Sequence, residues 1–340
     1  MILVTGGTGL VGSHLLYALA RNEDKIRAIY RKGSDVSAVA SMFSGSTEDR
    51  VRFDAIEWVE ADITEVPALS DAFRDVTRVY HAAALISFDP SDYNLLKKIN
   101  SEGTANVVNQ CLVHDVEKLC YVSSVATLGS SIKGALITED THWNTESENN
   151  VYAITKYGAE MEVWRGSQEG LEVVIVNPGI VLGIPPGKKG WMQGSGRIFR
   201  EAYGGIRYYT YGVTGYVAVN DVVAAMIALM KSDVKNERFI LVGDNLSFKE
   251  VLTMASVSVG RGVPEKEAPE WVFAWLWRLD WLRSKLTGKK RKLSKLMAAS
   301  ATVKSPYSNT KIKEELGVEF RPVAETIAVT GKAFLATVTK

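Results

Sequence analysis

Tyr152 and Lys156 stand one helical turn apart in Tyr152-Ala153-Ile154-Thr155-Lys156. On a helix, positions i and i+4 share a face. A phenol with a reference pKa of about 10 is a poor base at neutral pH. A neighbouring ammonium favours the phenolate and lowers that value. The pair suits proton transfer to or from a carbonyl oxygen while a hydride moves at carbon. Upstream, the apolar run Lys118–Val122 ends in Ser123-Ser124. A hydroxyl at the carboxyl end of a strand, such as that of Ser124, is placed to hydrogen-bond the reacting oxygen. Each signal alone is common. Their order along one chain, behind the loop described next, gives them weight.

Thr5-Gly6-Gly7-Thr8-Gly9-Leu10-Val11-Gly12 follows an apolar run and opens a helical pattern. It satisfies GxGxxG through Gly7, Gly9 and Gly12, and TGxxGxxG through Gly6, Gly9 and Gly12. Glycines let the strand turn sharply, admit a pyrophosphate close to the backbone and pack the helix on the sheet. Backbone N–H groups of Leu10, Val11 and Gly12 would then face the negative charge. The second apolar run ends in Tyr30-Arg31-Lys32, with no acid to hold a ribose 2′-OH. Arg31 and Lys32 suit a 2′-phosphate, so NADP(H) is the expected cofactor. Asp35, slightly later, keeps NAD(H) open.

These residues need a scaffold. Short apolar runs at Ile2–Thr5, Ile26–Tyr30, Ile56–Glu60, Arg78–His81, Lys118–Val122 and Glu172–Val176 alternate with helical stretches at Val11–Arg21, Tyr93–Val113 and Val151–Glu169. The alternation predicts an α/β fold: a Rossmann-type, doubly wound parallel sheet with strands buried on both faces. A dinucleotide-binding domain is expected over residues 1–176. A smaller, mostly helical substrate region is expected over 177–340, interleaved with late sheet elements at about 207–242. Gly183–Gly196 reads as a long loop of the kind that serves as a lid.

Composition narrows the partners. The formal net charge of +1 offers no global pull towards nucleic acid. Cys111 and Cys120 make neither a CxxC pair nor a disulfide framework, which suits a reducing cytoplasm. His14, His81, His114 and His142 show no metal-site spacing, so no metal is expected. No signal peptide is expected, since Ile2-Leu3-Val4 follows Met1 directly.

Taken together, the motifs resemble those of extended short-chain dehydrogenases/reductases, the NAD(P)-dependent epimerase/dehydratase superfamily. The resemblance is nearest to the dihydroflavonol-reductase and 3β-hydroxysteroid-dehydrogenase branch. It implies that Ser124, Tyr152 and Lys156 are catalytic, with Tyr152 and Lys156 also at the cofactor and Lys156 on its nicotinamide ribose. Asp62-Ile63 resembles the pair that contacts adenine. His81-Ala82-Ala83-Ala84 resembles the strand end that runs beside the cofactor. Asn100-Ser101-Glu102-Gly103-Thr104 resembles an N-x-x-G-T helix motif. Asn177-Pro178-Gly179 resembles the turn against which nicotinamide packs, and Ser308–Phe320 the family's C-terminal helix. Ile86-Ser87-Phe88-Asp89 and Arg31 lean towards the reductase branch. Val174-Ile175-Val176-Asn177 departs from the Arg-Tyr-Phe-Asn of nucleotide-sugar epimerases.

Tyr203, Tyr208, Tyr209, Tyr211 and Tyr216, and Trp271, Trp275, Trp277 and Trp281, are expected mainly as core, with a pocket wall as the lesser reading. Lys285, Lys289, Lys290, Arg291, Lys292 and Lys295 read as a solvated face, with contact to a membrane surface as the lesser reading. The expected activity is NADPH-dependent reduction, or the reverse oxidation, at a carbonyl or secondary alcohol of a small, fairly hydrophobic molecule. A homodimer is compatible with this reading. The rivals are a nucleotide-sugar epimerase or dehydratase with tightly bound NAD, and a non-catalytic NADP-binding regulator, against which the intact Tyr/Lys pair argues.

Overall fold

The architecture comes from a computed structural model that describes residues 1–23, 25–131, 134–287 and 301–338, without the side chains of 270–274. Trp271 and the cations Lys289, Lys290, Arg291, Lys292 and Lys295 lie outside the described residues or side chains.

Seven parallel strands form the main sheet. In chain order they are β1 (Ile2–Thr5), β2 (Ile26–Tyr30), β3 (Glu57–Glu60), β4 (Arg78–His81), β5 (Lys118–Val122), β6 (Glu172–Pro178) and, after three shorter strands, β10 (Glu237–Leu241). The shorter strands are β7 (Ile180–Leu182), β8 (Tyr208–Tyr209) and β9 (Val213–Ala218), with β11 (Asp244–Ser247) and β12 (Lys266–Glu267) following β10. The spatial order is β10-β6-β5-β4-β1-β2-β3. The chain runs from β1 to the β3 edge, then returns to place β4 on the other side of β1. This switch point leaves a crevice beyond the carboxyl ends of β1 and β4, where ligands bind in such sheets.

Successive side chains of one strand enter opposite layers. Val4 and Cys120 pack in a core with the helices Leu10–Leu19 and Val219–Lys231. Leu3, Leu119 and Tyr121 pack in the opposite core with the helices Val66–Ala72, Gly103–Val113 and Val151–Gln168. Burial on both faces explains why β1, β5 and β6 are largely apolar instead of alternating, whereas β3 at the sheet edge departs from that expectation, with Glu57 and Glu60 exposed.

A three-stranded sheet of order β11-β9-β7 leans on the end of the main sheet. The helices Gly196–Tyr203, Phe248–Ser258 and Val323–Val338 share a separate core around Trp191, Phe199 and Phe334. Core placement fails for part of the aromatic set. Tyr209 and Tyr216 are buried, but Tyr208, Tyr211, Trp275 and Trp281 are exposed. The reason is local: Tyr208 lies in a two-residue strand, and Trp275 and Trp281 project from the helix Glu270–Thr287.

The expected single helix over Tyr93–Val113 is a composite. A short helix Tyr93–Leu96 passes into a π-helical segment Lys97–Glu102 before Gly103–Val113. The wider turn coincides with tertiary bonds. Asn100 Oδ1 accepts Leu85 N–H at 2.8 Å, Asn100 Nδ2 donates to Thr155 Oγ1 at 3.2 Å, and Ser101 donates to Thr155 O at 2.9 Å. Among the described residues, no helix is long and apolar enough to cross a membrane.

Candidate active site

Parallel strands put every strand end on one edge, so the candidate residues assemble there. Gly6–Gly12 follows β1, Arg31-Lys32 follows β2, Asp62-Ile63 follows β3, Ala82–Ala84 follows β4 and Ser124 follows β5, while Pro178-Gly179 closes β6.

The glycine loop is built for close approach. Gly6 has φ +70°, and a Cβ there would lie 2.6 Å from Ala83 N. A Cβ on Gly12 would meet Gly6 O at 2.2 Å. Gly9 differs: its Cβ would meet only Gly6 O, at 3.4 Å. Gly6 and Gly12 are thus demanded by the chain's own packing, whereas the space beside Gly9 is not filled by protein. Gly9 also starts the helix Leu10–Leu19 with no side-chain cap and no acid in the first turn. Unsatisfied N–H groups beside a cleared surface fit the pyrophosphate of a dinucleotide.

At the β2 end, Arg31 and Lys32 are exposed. Asp35 turns back on its own helix, accepting Ala38 N–H at 3.1 Å and the Ser37 hydroxyl at 2.6 Å. At the β3 end, Asp62 Oδ1 accepts both Thr64 N–H and Thr64 Oγ1–H at 2.9 Å, and Ile63 packs where Gly103 leaves room. Ala82 and Ala83 lie half-buried against β1, and Ala84 is exposed. Pro178 is buried, and Gly179 N–H donates to Leu241 O at 3.1 Å.

Asn150 caps the helix Val151–Gln168 by accepting Ala153 N–H at 2.8 Å. The cap fixes the first turn, which carries Tyr152. The half-buried Tyr152 ring meets Phe88 edge-on, with centroids 5.5 Å apart. Burial pushes its phenol up to about 12, and a hydrogen bond with Ser124 opposes that shift. Ser124 caps the 3-10 turn Val125–Thr127 by accepting Ala126 N–H at 3.1 Å, and its carbonyl accepts Asn177 Nδ2–H at 3.2 Å.

Lys156 is buried to 1 % exposure. Its Nζ donates to Tyr121 Oη at 2.5 Å and to Val122 O at 2.8 Å. Those bonds leave one ammonium hydrogen for another acceptor. Burial pulls the amine down to about 7, against the carboxylate of Glu160, which favours the charged form. The sequence expectation for this pair is corrected: Tyr152 is not made more acidic by Lys156 in this structure. Desolvation raises the phenol, the opposing influence is the Ser124 hydrogen bond, and the Lys156 amine donates instead to Tyr121 and Val122.

Sequence reasoning missed Glu160. It sits one turn beyond Lys156, fully buried. Oε2 accepts Ser123 Oγ–H at 2.5 Å, Thr127 Oγ1–H at 2.8 Å and Asn177 Nδ2–H at 3.0 Å, and Oε1 accepts Arg238 Nη1–H at 2.9 Å. Arg238 also holds Glu139 O, while Glu139 Oε1 accepts Ile240 N–H at 2.8 Å. The carboxylate thereby ties the ends of β5, β6 and β10 together under Ser124. The available signal was the i+4 spacing continued from Tyr152 and Lys156 to Glu160. Among the described residues, no group of three or more His, Cys, Asp or Glu side chains could hold a metal ion.

Residues 2–243 match the model of the NAD dependent epimerase/dehydratase family. The chain is 28% identical over 269 residues to "Sterol demethylase protein B" of Methylococcus capsulatus, covering 78% of this chain and 77% of the relative. It is 28% identical over 283 residues to a "Putative dihydroflavonol 4-reductase" of Synechocystis, covering 80% and 77%. The crystal structure of gox2253 matches with a TM-score of 0.79 at 26% identity, over 100% of this chain and 98% of that one. The match over residues 2–243, with relatives aligned over more than three quarters of the chain, shows that the chain belongs to the NAD dependent epimerase/dehydratase family and is an NAD(P)-dependent oxidoreductase.

Proposed function

We propose that this enzyme reduces a ketone or aldehyde on a small, fairly hydrophobic molecule, with NADPH as the preferred cofactor. The observation that carries this reading is the state of the Tyr152 phenol, which burial holds near 12 and thus protonated at neutral pH, beside Ser124 and an apolar Phe88 ring. A protonated phenol is the acid that reduction needs; oxidation would need the phenolate as base.

A bound nicotinamide supplies or accepts the hydride. The chain's own residues handle the oxygen. Ser124 Oγ orients it by hydrogen bonding, and Tyr152 Oη delivers a proton to it. The remaining Lys156 hydrogen suits a ribose hydroxyl, and the Phe88 ring packs edge-on against the phenol ring. The preference for NADPH is supported by Arg31 and Lys32 at the β2 end and by Asp35 being occupied in its own helix cap. The "Putative dihydroflavonol 4-reductase" and "Tetraketide alpha-pyrone reductase 2" among the relatives support a carbonyl substrate.

The test is cofactor oxidation against a panel of ketones, aldehydes, flavonoids and steroids, run with NADPH and NADH. Turnover with NADPH, and a lower KM for it than for NADH, is expected. Tightly bound NAD in the purified protein with no net cofactor oxidation would instead point to epimerase or dehydratase chemistry.

A further inference from the structure

Behind Lys156, a row of buried side chains leads away from the cleft. Tyr121, Thr104, His81 and Thr5 are each at most 1 % exposed. Lys156 Nζ lies 2.5 Å from Tyr121 Oη and 4.3 Å from the centre of that ring. Tyr121 is hydrogen-bonded to Thr104. Thr104 Oγ1 lies 2.9 Å from His81 Nε2, and His81 Nδ1 lies 2.6 Å from Thr5 Oγ1. Thr5 Oγ1 also accepts Ala83 N–H at 3.1 Å. The His81 ring stacks on Tyr121 at 5.4 Å. The proton transfer assigned to Tyr152 uses none of these groups.

Counting hydrogens limits what this row can do. Burial, reinforced by the nearby Lys156 cation, keeps the His81 imidazole neutral, with its pKa drawn down to about 3. A neutral imidazole has one N–H and one acceptor nitrogen. Two arrangements then satisfy the row. When Lys156 is an ammonium, it donates to Tyr121, Tyr121 donates to Thr104, Thr104 donates to His81 Nε2, and His81 Nδ1–H donates to Thr5. When Lys156 is a neutral amine, Tyr121 donates to it, Thr104 donates to Tyr121, His81 Nε2–H donates to Thr104, and Thr5 donates to His81 Nδ1.

We propose that Tyr121, Thr104 and His81 form a positioning chain for Lys156 whose polarity follows the charge on that side chain, so that His81 exchanges Nδ1–H for Nε2–H when Lys156 loses its proton. That proton leaves for solvent. The number of hydrogens on Tyr121, Thr104, His81 and Thr5 is the same on both sides. Two neutral tautomers, each continuing the row from Lys156 to Thr5, let the fold accept either charge state of a buried amine. The groups facing Lys156 are Tyr121 on β5, His81 on β4, and Tyr152 and Glu160 on its own helix. Of these, the Glu160 carboxylate favours the ammonium. The tautomer exchange does not rest on the reductase reading.

Nitrogen NMR of the full chain labelled at histidine tests this directly, since the sequence holds only four histidines. His81 is assigned by substituting His14, His114 and His142 one at a time. The expected result is Nδ1–H at pH 5.5 and Nε2–H at pH 9, with no doubly protonated ring between them. Tyr121→Phe keeps the ring and removes the link, and Thr104→Val removes the next one. In either folded variant the His81 tautomer should no longer change with pH. A single tautomer across the whole range in the wild-type protein overturns the proposal. So does the same exchange persisting in both variants. Turnover failing on every carbonyl would sink the reductase reading and leave this readout intact.

Discussion

The carboxylate of Glu160 and the guanidinium of Arg238 meet at 2.9 Å, joining the helix Val151–Gln168 to β10 beneath the Ser123–Thr127 turn. The carboxylate is fully buried, and the Arg238 side chain is 17% exposed. Removing one partner of such a pair leaves an uncompensated buried charge, which costs about 3–5 kcal/mol. Arg238→Met should therefore lose about that much stability in urea unfolding. A loss below about 1 kcal/mol would show the pair to be as weak as a surface ion pair.

Gly9 and Gly12 should separate binding from folding. Gly12→Ala forces a Cβ to 2.2 Å from Gly6 O and should destabilise the fold by at least about 2 kcal/mol. Gly9→Ala places its Cβ no closer than 3.4 Å to Gly6 O and should cost no more than about 1 kcal/mol. It should nonetheless raise the NADPH Kd at least tenfold, about 1.4 kcal/mol, by intruding where the phosphate approaches. Titration by fluorescence and thermal unfolding of both variants read this; unchanged affinity in Gly9→Ala would place the pyrophosphate elsewhere.

Lys156 and His81 give stability a definite slope with pH. Folded Lys156 releases its proton near 7, while the unfolded side chain holds it to 10.5. Between those values the unfolded chain binds the extra proton, so stability rises with pH and the full cost of the buried cation is felt below 7. His81 acts in the same sense at lower pH: its folded value near 3 lies below the ordinary 6.5, so stability falls as pH drops through that interval. Lys156→Met should accordingly compare best with the wild-type protein at pH 6 and progressively less well towards pH 10. A stability difference that does not vary with pH would contradict this.

The central strands β1, β5 and β6 were legible because burial on both faces makes nearly unbroken apolar runs, followed by glycine or serine at Gly6, Ser123 and Gly179. Gly6–Gly12, Ser124, Tyr152 and Lys156 were legible as candidates because the chemistry proposed for them depends on local spacing. Glu160 and Tyr121 were not, since their partners are remote in sequence: Arg238 lies on β10, and Tyr121 meets Lys156 only once β5 and the helix Val151–Gln168 pack together. The π-helical turn at Lys97–Glu102 was hidden for the same reason, with Asn100 bonded to Leu85 and Thr155. Tyr152 shows the limit of pair rules. The neighbouring lysine argued for a more acidic phenol, and burial, which a linear sequence does not display, reversed the sign.

Tyr152 is the proposed proton donor, and Tyr152→Phe tests that role most directly. NADPH oxidation with a carbonyl substrate of the wild-type enzyme should fall in kcat/KM by about 100-fold to 10,000-fold, the usual worth of a positioned acid, while the NADPH Kd stays within about twofold, under 0.5 kcal/mol. Turnover within about threefold of wild type, at unchanged cofactor affinity, would contradict the assignment.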